Sequence, residues 1–442
     1  MPHPGATTKL QSGGATIFLD GENVRTRSAA ILFLVVFLYS WVSLYPFENL
    51  QNPPANSAAV NQIAGFLLTL GLLAYAAANR LLSMLLRPRS LIVLLFAWLA
   101  LTSTMSLEPL VALRRLFFTG LLCVCASTLP VLPESREQFD RLLKLVVLIL
   151  LGASYLGVML MPDRAIHQVY DVYEPRLAGD WRGIFNHKNT AAPAMVVLCF
   201  ISLYAMRAGN KAVWAAMAVL AIVFLWKAGG KTALGMFPVT LVLAFLVTRR
   251  PLLGATALLA TMAVIGTLTI GSALSPGIHE FLAGHGIDAT FTARTDIWQI
   301  ALEAAGQRPL FGYGFGSFWG SDMLLNSVQS EYSWAVNAWH AHNGYIEVLL
   351  SGGVPALALT ALWLVVLPLR DIAATRDRGA DPALTALFAR IWVFCILYTF
   401  LENALFTGTG AIWASLLLAV FGLRQQARGF LIVERGKAER LP

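Results

Sequence analysis

About twelve apolar runs, each close to the length that crosses a lipid hydrocarbon core, constrain what this 442-residue chain can fold into. They lie at 28–46, 60–79, 90–106, 112–131, 141–161, 190–206, 212–228, 232–248, 252–273, 347–369, 384–403 and 409–424. A helix needs roughly 17–25 apolar residues to span a bilayer. Peptide groups in lipid find no water to bond, so a spanning segment must be a helix or part of a closed barrel. Barrel strands alternate polar and apolar residues over about ten positions, and these runs do not alternate. With 57% hydrophobic and 13% charged residues, the composition excludes an ordinary soluble protein. The expected fold class is an all-α polytopic membrane protein with about 12 transmembrane helices.

Lys and Arg set the orientation, because cytoplasmic loops carry the excess of positive charge. Placing the N-terminus in the cytoplasm puts about twenty-one of the 32 basic residues there. They are Lys9, Arg25 and Arg27, then Arg80, Arg87 and Arg89, then Arg136, Arg141 and Lys144, with Arg207, Lys211, Arg249 and Arg250. Arg370, Arg376 and Arg378 follow, with five more in the tail from Arg424 to Arg440. About ten fall outside: Arg114, Arg115, Arg164, Arg176, Arg182, Lys188, Lys227, Lys231, Arg294 and Arg308. Both termini are therefore expected in the cytoplasm. The net charge of +8 resides mainly in loops that meet anionic lipid headgroups, and no nucleic-acid module is visible.

On this reading residues 1–27 form a cytoplasmic tail and 28–273 carry the first nine spans, interrupted by an outer loop at 162–189. Residues 274–346 form a large outer loop with short helices, 347–424 the last three spans, and 425–442 a basic cytoplasmic tail. The run at 28–46 is too long for a signal-peptide core and lacks a small-residue cleavage pattern, so it is expected to stay as a span. Cys123, Cys125, Cys199 and Cys395 all fall within spans and read as packing residues, with neither a disulfide framework nor a metal set.

The polar residues between the spans carry the chemistry. His340-Ala341-His342-Asn343 closes the large outer loop. A neutral imidazole near its ordinary pKa is a suitable general base for a sugar hydroxyl, and no third histidine or paired carboxylate stands close enough in sequence to suggest a metal. Arg182-Gly-Ile-Phe-Asn-His-Lys188-Asn189 lies before a span on the side where cations are least expected. It reads either as a solvated loop with a helix cap at Asn189 or as an anion clamp, Arg offering a planar fork and Lys a point charge. Arg294 precedes a helix signal with a capping residue and a terminating Gly306, and could be exposed or pair with Asp296. Arg114 and Arg115 sit near the outer end of a span, where snorkelling to headgroups also explains them. Glu402, at the end of a span, is a carboxylate available to one of the outer arginines. Gly229-Gly230-Lys231-Thr232 mimics a phosphate-binding loop, but Leu225 stands where the first glycine belongs and no strand precedes it.

Three stretches, R-G-I-F-N-H-K-N, then A-R-T-D-I-W…P-L-F-G-Y-G-F-G-S-F, then H-A-H-N-G-Y-I-E-V-L-L-S-G-G, resemble the O-antigen ligase/polymerase superfamily. It includes the O-antigen ligase, the Wzy polymerases and the exopolysaccharide-production polymerases. The resemblance covers about 180 to 405. It implies a GT-C-like, metal-independent glycosyltransferase with one large periplasmic loop in the bacterial inner membrane. It implies a saccharide donor on undecaprenyl diphosphate and an acceptor that is a saccharide or the lipid A core, with membrane lipids around it and no cofactor. Carried over by motif, His342 resembles the catalytic histidine, and Arg182 and Arg294 the arginines that hold the diphosphate. Lys188, Asn343, His340, Arg114 and Arg115 are the candidate substrate-binding residues. Ala293 departs from the glycine many relatives carry before the arginine, and K-A-G-G-K-T stands where many carry a serine-rich motif.

The expected activity is polymerisation of exopolysaccharide or O-antigen repeat units, with ligation to lipid A core as the alternative. A transporter or flippase of lipid-linked sugars is a rival of another class. It calls for charged residues near the bilayer midplane and repeat symmetry, neither clearly visible. A structural role in an export complex would use loop aromatics such as Trp319, Tyr332, Trp334 and Trp339, which equally suit sugar stacking or interface anchoring.

Overall fold

The computed structural model describes residues 13–51, 56–171, 174–326 and 334–429. Lys9, Tyr332, and Arg435, Lys437 and Arg440 of the basic tail lie outside the described residues. Apart from one backbone bridge, Ile166 to Trp181, the regular elements described are helices.

The chain runs through α1 (Gly13–Val42), α2 (Ser57–Ala78), α3 (Arg89–Thr104), α4 (Pro109–Thr128), α5 (Arg136–Leu160) and a short α6 (Pro162–Ala165). There follow α7 (Lys188–Ala205), α8 (Lys211–Lys227), α9 (Lys231–Arg249) and α10 (Pro251–Leu274). The long loop carries α11 (Pro276–Gly284), α12 (Arg294–Gln307) and α13 (Asp322–Leu325), and the chain closes with α14 (Gly344–Ala361), α15 (Leu367–Asp377), α16 (Pro382–Tyr398) and α17 (Ala411–Ala427). Among the described residues, 8 helical stretches are long and apolar enough to cross a membrane: Val24–Val42, α2, α4, α5, α7, α9, α10 and the continuous stretch Gly344–Asp377. The protein is therefore a multi-pass membrane protein. The remaining apolar runs fall on shorter helices, α3 with 16 residues and α8, α16 and α17 with 17 each.

Burial separates the helices into layers. In α7, α16 and α17 nearly every side chain is enclosed, whereas α2 and α10 bury only a narrow stripe in which small residues such as Gly65, Thr69, Ala76, Gly254 and Ser272 outnumber Leu72 and Leu258. Apolar side chains on the outer helices, Leu67, Val93, Val242 and Phe245 among them, face outward. Lipid satisfies them as well as protein would.

The polar segment before the first run is helical from Gly13 onward; residues 13–27 contain no proline, and an established helix extends at little cost. Three expectations need correction. The run at 347–369 is not one regular span: helical geometry breaks at Gly352–Gly353 and a π turn, Leu362–Val366, follows. The start of α12 has no side-chain cap, because Ala293 occupies that position with φ +65°. Asp288 instead orders the approach by accepting the N–H groups of Thr290 and Thr292 at 3.0 and 2.8 Å. Lastly, Arg390, within the run at 384–403, lies midway along α16, so a charged residue does stand inside a run where none was clearly visible near the midplane.

The break in α14 ties two of the recurring motifs together. Pro355 supplies no N–H, and the helix opens to the glycine-rich return of the long loop. Tyr313 N–H donates to Leu350 O (2.7 Å), Gly314 N–H to Ser351 O (3.1 Å) and Val354 N–H to Pro309 O (2.8 Å). Gly312 and Gly353 have φ of +63° and +67°, and a Cβ on either would come within 2.4 Å of a carbonyl oxygen, that of Leu350 or Leu310. Trp98 Nε1 closes the break by donating to Gly352 O at 2.7 Å. Gly353→Ala and Gly312→Ala should each destabilise the protein by about 2 kcal/mol or more, from left-handed strain and backbone collision. Gly284→Ala, with open space around its Cβ position, should cost less than about 1 kcal/mol; thermal unfolding in detergent compares the three.

Candidate active site

The His340–Asn343 turn is held by bonds on every side. Asn343 caps α14, its Oδ1 accepting the N–H groups of Tyr345 (3.0 Å) and Ile346 (3.2 Å). Gly344 N–H donates to Thr399 O of the segment after α16 at 2.9 Å. Ala341 is gripped at both backbone atoms: its N–H donates to Glu347 at 2.9 Å and its carbonyl accepts from Trp298 Nε1 at 2.8 Å. Trp319 Nε1 donates to the same Glu347 oxygen at 3.0 Å. These bonds hold His342 at φ +48°, a left-handed conformation that costs a non-glycine residue about 1–3 kcal/mol.

The two imidazoles differ. His342 N–H donates to His340 Nδ1 at 3.1 Å, so the neutral His340 ring carries its proton on Nε2. Partial burial, then the adjacent His342, pushes the His340 imidazole down to about 4. His342 instead turns Nδ1 toward Glu402, 3.3 Å from Oε2. Glu402 holds Arg294 as well, with Oε1 2.6 Å from Nη2, while Arg294 Nη1 donates to Leu401 O. Burial would raise the Glu402 carboxyl, but the His342 hydrogen bond and the Arg294 charge outweigh it and keep the group below its ordinary value. Asp296, the alternative partner for Arg294, instead accepts from Trp334 Nε1 at 3.0 Å.

The loop before α7 forms the facing wall. Arg182 is buried and donates to three carbonyls: Phe185 (3.4 Å), Asn186 (3.3 Å) and Glu48 (2.9 Å). Its Nε is buried without a partner, and among the described residues it forms no ion pair. Burial lowers this guanidinium, with Asp171 and Glu48 pulling the other way. His187, not Asn189, caps α7, its Nδ1 accepting Asn189 N–H at 3.0 Å while Nε2 faces Glu174. Lys188 is 2.6 Å from Asp180. Arg114 bonds Gln62 and Arg115 bonds Gly316 O.

Two cavities meet at this site. One of about 460 Å³ is lined by His340, His342, Glu402, His187 and Asn186 with Glu48 and Glu174. The other, about 1070 Å³, has an apolar side of Leu99, Phe118, Phe315, Leu405 and Phe406 and a polar side with Arg115 and Glu347. Trp339, His340 and Asn403 line both. The structure thus brings His340 and His342 onto a cavity wall and sets Arg294 behind Glu402. Arg115 lies on the larger wall. Arg182, Lys188, Asn343 and Arg114 line neither cavity; Arg182 and Asn343 act on it through the backbone they hold. Among the described residues, no three His, Cys, Asp or Glu side chains converge as a metal would require. Sequence reasoning overlooked Glu347, although a single carboxylate in an apolar helix five residues after His342 was a visible signal.

A bundle of apolar helices with a histidine–carboxylate–arginine cluster at one end belongs to the class of multi-pass membrane proteins that carry a polar site at the membrane surface. Residues 194–361 match the family model described as O-Antigen ligase. A 125-residue stretch is 28% identical to the Exopolysaccharide production protein ExoQ of Rhizobium meliloti (strain 1021), covering 28% of this chain and 29% of that relative. The match therefore spans less than a third of the relative's length. Both findings agree with the resemblance to the O-antigen ligase/polymerase superfamily over the segments they cover. The matched segment includes Arg294, His340, His342 and Asn343 and excludes Arg182 and Glu402.

His340 titrates far lower in the folded protein than in the unfolded chain, where its pKa is about 6.5. Between pH 6.5 and about 4 the unfolded state therefore binds the extra proton, so stability should fall as pH drops through that window. His340→Asn keeps an acceptor for His342 N–H and should flatten the slope; melting temperatures from pH 7 to 4 read it.

Proposed function

We propose that the protein is an inverting glycosyltransferase that moves a glycan from undecaprenyl diphosphate to a saccharide acceptor at the periplasmic face of the inner membrane. All twelve apolar helices span the bilayer in this reading, with both termini cytoplasmic and the 274–346 loop periplasmic. The carrying observation is the His342–Glu402 pair on a cavity wall, with Arg294 bound to Glu402 behind it.

With Nδ1 held by Glu402, His342 has Nε2 free to accept a proton. The acceptor hydroxyl attacks the anomeric carbon as its proton passes to Nε2 and the bond to the diphosphate oxygen breaks. Attack opposite the leaving group inverts the centre. Glu402 fixes the tautomer and balances the imidazolium, as a carboxylate does for a base histidine in acyl transfer. The departing diphosphate gains negative charge, and preorganised guanidinium groups favour that state over the ground state. Of the two arginines on α4, Arg115 is the one on a cavity wall, and the apolar side opposite it suits a polyprenyl chain. This supports the larger cavity as the donor site, with Arg115 nearest the diphosphate, Arg294 behind Glu402 and Arg182 as a buried charge behind the wall. The smaller, more polar cavity suits the acceptor. The reaction draws its driving force from the donor bond, so no nucleotide, metal or other cofactor enters.

The ExoQ relative is named for exopolysaccharide production, which favours polymerisation of repeat units over ligation to lipid A core. In a deletion strain, single unpolymerised repeats support the polymerase and polymer stranded on undecaprenyl diphosphate supports the ligase. In reconstituted vesicles without any gradient, His342→Ala should lower transfer by about 10²–10⁴-fold at normal protein levels. Glu402→Gln should lower kcat and shift its pH profile. Full activity in His342→Ala removes the mechanism, and gradient-dependent movement without glycan growth favours a transporter.

A further inference from the structure

α9, α15 and α16 enclose a third cavity, of about 470 Å³, near the end of α9, the end of α15 and the start of α16. Glu402 and the candidate site follow the other end of α16, and the helix's 17 residues separate the two by roughly 25 Å. Arg249, Arg376 and Arg390 line the cavity, with no Asp or Glu among its lining residues, and Leu241, Ala244, Phe245 and Ile372 form an apolar side.

Two of these arginines have an ordinary explanation. Arg249 and Arg376 lie in the last turns of α9 and α15, where cations complement helix dipoles, and Arg376 Nη1 is 3.5 Å from Arg249 O. Arg390 does not fit that account. It lies eight residues into α16, about 12 Å along the helix, and among the described residues it forms no hydrogen bond or ion pair. The paired carboxylates nearby are engaged elsewhere, Asp381 by Arg136 and Arg207, and Asp371 by Arg424. Charged side chains inside a membrane helix are rare and normally paired or functional.

We propose that this cavity binds a phosphate-bearing anion, namely the phosphate of an anionic lipid headgroup, with Arg390, Arg249 and Arg376 as its cations. Planar guanidinium groups suit phosphate oxygens. A free phosphate ion shares that chemistry, but the apolar side favours a ligand with acyl chains. Phe245 and Val242 are each 60% exposed on the same helix, giving those chains a surface that continues into the bilayer. This site is independent of the glycosyltransferase reading.

Native mass spectrometry of the full chain in neutral detergent, titrated with phosphatidylglycerol or phosphatidylcholine, tests the proposal. The wild type should retain one phosphatidylglycerol in preference to phosphatidylcholine. Arg390→Gln should weaken that retention by about five-fold, and Arg249→Gln with Arg376→Gln by more, at roughly five-fold per cation. The double variant changes only exposed positions, so it decides the matter even if Arg390→Gln does not fold. His342→Ala should retain the lipid, which separates this site from the candidate active site. Millimolar inorganic phosphate should leave the adduct in place; if it displaces the lipid, the site belongs to the free anion. Equal retention of both lipids, or retention unchanged in the arginine variants, overturns the proposal.

Discussion

Glu402 carries two partners at once, and the geometry of the candidate site depends on that double role. One oxygen holds Arg294 at the head of α12 and the other faces His342 just before α14. The carboxylate itself follows α16, so three elements far apart in sequence converge on one side chain. A buried carboxylate survives ionised only when its desolvation is matched by charge and hydrogen bonds, and here both partners supply them. Removing Glu402 or Arg294 leaves the other's charge unbalanced in an enclosed place, and removing His342 takes away a hydrogen bond that keeps the carboxylate ionised.

Around it, the backbone is fixed by side chains that bond its peptide atoms. Trp298, Glu347, Trp319 and Asn343 hold the histidine turn by its peptide atoms. The break in α14 provides the second anchor. There the helix gives up its own hydrogen bonds and takes those of the 309–314 return, which needs glycine at Gly312 and Gly353. A rigid shell of this kind lets an imidazole and its partner carboxylate stay within bonding distance in a strained conformation.

The distribution of charge divides the protein into two ends. At one, histidines and carboxylates line a polar cavity next to a partly apolar one, with a single arginine, Arg115, on the wall of the second. At the other, three arginines surround a cavity that contains no lining carboxylate. Lipid covers what lies between, and the outer helices meet it with ordinary apolar side chains.

The apolar runs by themselves determined that the chain crosses a membrane as helices, because a peptide group in lipid must bond within its own segment. Sequence also singled out the histidine turn, the outer arginines and Glu402 as an available carboxylate, since charged residues stand out against so apolar a background. Several outcomes were decided only in three dimensions. Arg294 joined Glu402 instead of Asp296, His187 capped α7 instead of Asn189, and Arg115 rather than Arg114 reached a cavity wall. His340 and His342, neighbours in sequence, met different partners, the backbone N–H of His342 for one and Glu402 for the other. The α7 cap and the His340 contact turned on the local path of the chain, and the others on contacts with residues remote along it; hydrophobic periodicity says which face is buried but not which remote partner it meets.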